Sequence, residues 1–124
     1  MDRVFKTRQF ARWARKAGLT DEALCVAVTE MVDGLDADLG GGVVKKRVAL
    51  PGRGKSGGSR TLIATNKADR WFFVFGFEKN ERSNITDKEL EALQNTASDL
   101  LKLNSDQLDD AVSQEILQEM CNDP

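Results

Sequence analysis

Trp71-Phe72-Phe73-Val74-Phe75-Gly76-Phe77 decides the fold. The run carries no charge, and bulky apolar side chains fall on both sides of the period-2 alternation. A strand of that kind is expected at the centre of a sheet, covered on each face. Upstream, Arg60 to Thr65 reads as a second strand, turned at Asn66-Lys67-Ala68-Asp69. Val43 to Leu50 alternates as a third. Val44, Val48 and Leu50 lie on one face, Lys45 and Arg47 on the other, and Lys46 falls on the apolar side, where its stem can snorkel. Between the last two lies a glycine-rich loop, Pro51 to Gly58. Three consecutive strands with short connections predict an antiparallel meander.

Further out, Val4 to Thr7 reads as a short strand. Phe10, Trp13, Ala14 and Ala17 share one helical face that Gly18 ends. Thr20 is the expected N-cap of a second helix carrying Leu24, Val28, Met31, Val32 and Leu35, with Asp21 and Glu22 in its first turn. Gly40-Gly41-Gly42 reads as a flexible break. Downstream, Thr86-Asp87-Lys88-Glu89 is a capping box ahead of Leu90, Leu93, Ala97, Leu100 and Leu101. Ser105 opens a last helix with Leu108, Val112, Ile116 and Met120. Strand, two helices, three strands, two helices is an α+β layout with helices packed on one antiparallel sheet. The expected organisation is a core over residues 1–85 and an acidic helical extension over 86–124, packed on the same domain.

The chain has 124 residues, 31 % charged and 40 % hydrophobic, as expected of one globular domain rather than a disordered chain. No apolar run approaches the roughly 20 residues of a bilayer span, and no secretory h-region follows Met1. A cytoplasmic location is expected, with Cys25 and Cys121 as free thiols in a reducing compartment. Histidine and tyrosine are absent. That excludes Ser-His-Asp and Cys-His catalysis and most zinc sites within the chain, so neither a metal nor a cofactor is expected.

The net charge of −2 hides a dipole. Residues 1–82 hold 16 Lys and Arg against 10 Asp and Glu, or +6; residues 83–124 hold 2 against 10, or −8. Between Val43 and Arg60 stand Lys45, Lys46, Arg47, Arg53, Lys55 and Arg60 with no carboxylate. Such a cluster stores repulsion that an anion relieves: phosphate, nucleic acid or an acidic partner. Part of it, Ala49 to Ser56, mimics a phosphate loop. The residues after it read as turn then strand, and the helix N-terminus that would hold a nucleotide phosphate is lacking. A second basic group, Lys79 and Arg82, follows the aromatic strand. If the three strands are neighbours, Lys45, Arg47, Arg60, Lys79 and Arg82 converge on one face. The competing expectation is that they are neutralised by Glu78, Glu81 or the acidic second half.

Three stretches carry a family resemblance: the basic strand 43–50, Gly-Gly-Ser-Arg-Thr-Leu at 57–62, and Phe-Phe-Val-Phe-Gly-Phe-Glu-Lys-Asn-Glu-Arg-Ser at 72–83. With the element order, they resemble the HigB branch of the RelE/ParE toxins, the toxin halves of type II toxin–antitoxin pairs. The resemblance implies a microbial RNase-like fold, with two N-terminal helices over an antiparallel sheet and here a C-terminal helical extension. It implies ribosome-dependent cleavage of mRNA. It also implies a cognate antitoxin, usually of helix-turn-helix type, so the ribosome, mRNA and that antitoxin are the expected partners. Lys45, Arg47, Arg60, Lys79 and Arg82 match the family's basic positions. The Tyr or His that many members place near the scissile phosphate is missing, and Ser59 stands where some relatives have Tyr.

Metal-free RNA cleavage needs a base for the ribose 2′-OH, cations for the five-coordinate phosphorane, and an acid for the leaving 5′-oxygen. Guanidinium suits the second task, because it binds phosphate oxygens bidentately and stays charged. Crowding by like charge makes a lysine a better proton carrier. Lys45 and Lys79 are therefore the expected proton carriers, with Glu78 or Glu81 as alternatives. Arg47, Arg60 and Arg82 are the expected phosphate clamp, and Lys46, Arg53 and Lys55 the expected grip on RNA or the ribosome. Two other readings stand beside this one: a non-enzymatic DNA gyrase inhibitor in the ParE manner, and a catalytically silent RNA-binding module. Fold alone does not separate them.

Overall fold

A computed structural model describes residues 2–52 and 58–121. The elements run β1 (Arg3–Thr7), α1 (Arg8–Ala17), α2 (Asp21–Val32), β2 (Ala37–Gly40), β3 (Val43–Val48), β4 (Ser59–Thr65), β5 (Arg70–Glu78), α3 (Asp87–Leu101), α4 (Ser105–Ser113) and β6 (Leu117–Met120). The caps expected at Thr20 and Thr86 are in place, and Thr7, read as the end of a strand, also caps α1. The Thr7 and Thr20 hydroxyls accept from the amides of Phe10 and Ala23, and Gly18 ends α1 at φ +82°. Thr86 and Glu89 form the reciprocal capping box of α3.

The six strands form one mixed sheet in the order β2-β3-β4-β5-β1-β6. The β3-β4-β5 meander is antiparallel, as expected, and β1 joins β5 in parallel, pairing Phe5 with Phe72. The fold is thus α+β with a mostly antiparallel sheet. Helices α1 and α2 cover one face, where Phe10, Leu24, Val28 and Met31 meet Val44, Ile63, Trp71 and Phe73. On the other face Phe5, Val43, Leu62, Ala64 and Phe72 share a core with Ala97 of α3 and Leu108 of α4. The central strand is buried on both sides for this reason. Among the described residues no helix is long and apolar enough to cross a membrane.

Two features of β5 set the geometry around it. Gly76 lies under α1, where a Cβ would sit 2.3 Å from the Trp13 ring, so only glycine lets the helix approach this closely. A bulge shifts the register between Leu62↔Phe75 and Ile63↔Phe73, leaving Val74 as the extra residue. The extra residue reverses the alternation. Trp71 and Phe73 point toward α1, whereas Val74, Phe75 and Phe77 belong to the core on the α3 face.

Three expectations are corrected. Gly40 to Gly42 is the tight end of a β2-β3 hairpin, with all three glycines at positive φ, and not a loose break. The last helix stops at Ser113. Glu115 adopts φ +60°, and Leu117 to Met120 form a strand on β1. Leu117 and Met120 then enter cores on opposite faces, which helical spacing does not allow. Because β6 returns the chain end to α2, Cys25 and Cys121 form a disulfide across 96 positions, not the free thiols expected.

Candidate functional site

Helix α3 covers only part of its face. Ala97 and Leu101 sit beside Gly42, and the Gln94 amide donates to the carbonyls of Leu39 and Gly40. The helix therefore rests on the hairpin end of the sheet, over Val43 and Ala64. The opposite end of the same face stays open, and there the cations stand. Alternation along β3 puts Lys45 and Arg47 on the side of Val43. Arg47 lies directly opposite Arg60 of β4, and Lys45 opposite Leu62. On β5, Phe77 lies opposite Arg60 and Phe75 opposite Leu62. Directly opposed residues share a face with Cβ atoms roughly 5 Å apart. Beside this pair of arginines lie Phe75, partly buried, and Phe77, buried in the core of the α3 face. An open groove of about 300 Å3 lies beside β3, lined by Leu35, Asp36, Ala37, Lys45, Lys46, Arg47 and Arg60.

The charge on this face is uncompensated. Among the described residues, no carboxylate pairs with Lys45, Arg47, Arg60 or Lys79. Burial, helped by the neighbouring Arg47 charge, pushes the Arg60 guanidinium below its ordinary value. Among the described residues no carboxylate offsets two arginines side by side; an anion between them would. The Lys45 ammonium donates to the Asn84 side-chain oxygen, at 3.5 Å.

Arg82 stands differently. Its guanidinium lies over Phe77 and Phe75, with Cζ 5.4 and 5.9 Å from the ring centroids. Both terminal nitrogens donate to the Glu89 carboxylate, and Nε donates to the Asn84 carbonyl at 3.1 Å. The Arg82 bond and the Thr86 amide together hold the Glu89 carboxyl at about 2, and the same pair raises Arg82. One expected clamp arginine is therefore already engaged by the acidic half of the chain.

The other expected residues are dispersed. Lys46 borders the groove, but its ammonium is turned to the opposite face, where it is almost fully buried and pairs with Glu30 at 3.0 Å. Lys79 is exposed on the turn after β5, and its amide donates to Gly58. The Glu81 carboxylate accepts the Glu78 amide. Arg53 and Lys55, with the phosphate-loop mimic around them, lie outside the described residues. Phe75 and Phe77 pack in the core on the α3 face, as expected of a strand covered on both sides. Glu89 was recognised as a cap; its second role depends on Arg82 arriving from another segment.

No curated protein matches the chain. The family model described as the RelE toxin of the RelE / RelB toxin-antitoxin system matches residues 2–120, nearly the whole chain. With the cation-lined sheet face on the α+β frame already described, the chain belongs to the RelE toxin family and is the toxin partner of a toxin-antitoxin system.

Proposed function

We propose that this toxin is an mRNA endoribonuclease of the HigB branch that acts on translated message at the ribosome and is held in check by a helix-turn-helix antitoxin. The observation that carries the reading is the open face bearing Lys45, Arg47 and Arg60 without a carboxylate partner among the described residues. An RNA phosphate supplies the missing counter-charge. In the proposed reaction the ribose 2′-oxygen attacks phosphorus as its proton passes to a base. The bond to the 5′-oxygen breaks as an acid protonates it, leaving a 2′,3′-cyclic phosphate and a 5′-hydroxyl. Arg47 and Arg60 hold the non-bridging oxygens as charge builds on the phosphorane. Lys45, beside Asn84, and Lys79 are the proton carriers.

The test is primer extension on a translated message during induction, with a DNA-supercoiling assay alongside. New 5′-ends within open reading frames, lost in Arg47→Ala and Arg60→Ala, are the expected result. Intact message with altered supercoiling would establish the gyrase reading instead.

A further inference from the structure

The Arg82 guanidinium has five N–H donors, and three are spent. Two go to Glu89 and one to the Asn84 carbonyl. Each two-hydrogen fork of the guanidinium thus already has a donor engaged, which works against the bidentate fit by which arginine recognises phosphate. Its side chain nevertheless remains about one third exposed. Underneath it lie Phe75 and Phe77, so the surface left open is the side turned away from those rings. A guanidinium in this state is a planar, weakly hydrated slab, braced from below and pinned at its rim. Phe77 is the direct cross-strand neighbour of Arg60, which puts the slab beside the unpaired arginines. Asn84 joins the two groups, taking Arg82 Nε on its carbonyl and Lys45 Nζ on its side chain.

We infer that Arg82, stacked on Phe75 and Phe77 and clamped by Glu89, is a nucleobase-stacking platform for the nucleotide adjoining the phosphate held by Arg47 and Arg60. Single-stranded RNA exposes base faces, and arginine planes stack on them as aromatic rings do. The inference rests on the RNA reading above and changes the part expected of Arg82, from phosphate clamp to base support. Glu89 acts through Arg82 as a positioning residue. It cancels the charge that would otherwise draw a phosphate and keeps the plane seated.

Salt dependence separates the two roles. The probes are single-stranded RNA oligonucleotides carrying 2-aminopurine, with an abasic ribose-phosphate oligomer of the same length as control. All are titrated against the full chain from low to moderate salt. Arg82→Ala is expected to weaken binding of the base-bearing RNA about 5- to 150-fold, the range for one stacked base. It is expected to leave the abasic control and the slope of log affinity against log salt unchanged. A phosphate contact would instead lower that slope by about 0.7. Glu89→Gln keeps the capping geometry but frees the Arg82 charge, and is expected to steepen the slope by about 0.7. Circular dichroism confirms that each variant folds, and Arg82→Gln replaces Arg82→Ala if it does not. Equal losses on both probes, a lowered slope for Arg82→Ala, or unaltered affinity would overturn the inference. If Arg47→Ala and Arg60→Ala leave binding at the wild-type level, or the wild type binds no RNA, the proposed function itself fails. If those two lose binding and Arg82→Ala does not, only the platform fails.

Discussion

Strand β3 turns neighbouring cations to opposite sides of the sheet, and their fates differ. Lys46, under α2, is buried and tied to Glu30. Lys45 and Arg47, one residue to either side, face the groove that α3 leaves open and meet no carboxylate among the described residues. On the covered side the Lys46 charge is paired; on the open side, among the described residues, those of Lys45 and Arg47 are not. A paired cation serves the fold, whereas unpaired ones cost stability and are tolerated where a ligand completes them. Mutations on the covered side should therefore change stability and spare activity, and mutations on the open side should do the reverse.

The largest expected effect lies away from the groove, where the Cys25–Cys121 disulfide ties α2 to the strand at the chain end. Closing a loop of 96 positions is worth about 4–5 kcal/mol in the chain-entropy account. Cys25→Ser or dithiothreitol should lower the urea-derived unfolding free energy by roughly that amount. Persistence of the wild-type midpoint would mean the two cysteines are not joined in solution. Next comes the open face. Loss of one transition-state donor typically costs about 10²–10³ in rate. Arg60→Met should lower message cleavage by that factor with unfolding free energy unchanged or slightly raised, since it removes a desolvated charge beside Arg47. A destabilised Arg60→Met would erase the contrast between the faces.

On the covered side, Gly76→Ala drives a methyl into the Trp13 ring, and overpacking of this kind costs about 1–3 kcal/mol. Breaking the Lys46 pair from its half-exposed end, with Glu30→Gln, should cost under about 1 kcal/mol and leave cleavage intact. Smallest and most specific is a pH effect at the border of the two regions. Arg82 holds the Glu89 carboxyl at about 2, below its ordinary 4.5. A carboxyl depressed on folding contributes stability that is complete above about 4.5 and is lost as pH falls through about 2. The stability difference between wild type and Glu89→Gln should therefore be constant at neutral pH and shrink across that window. A difference that persists at pH 2 would assign it to the capping geometry alone.

Much of this was legible in the residues. The meander, the caps at Thr20 and Thr86, and the two-sided burial of Trp71 to Phe77 follow from periodicity and local hydrogen bonding, which act over a few residues. The alternation of Val44, Lys45, Lys46, Arg47 and Val48 even placed Lys46 apart from its neighbours. The second hairpin strand, Ala37 to Gly40, was not legible, since a four-residue edge strand of mixed polarity has no period to read. Met120 looked helical because one i+4 step fits both a helix and chance.

The order of charges along the chain determined that a basic cluster without local counter-ions exists, because no carboxylate falls between Val43 and Arg60. Tertiary structure alone decided which of those cations remain free. Glu30 reaches Lys46 from another helix and Glu89 reaches Arg82 across the turn before α3, and one bulged residue at Val74 turned Phe75 and Phe77 to the α3 face. Pairing of charge depends on distance in space, and a sequence fixes that distance only within a helical turn or a strand.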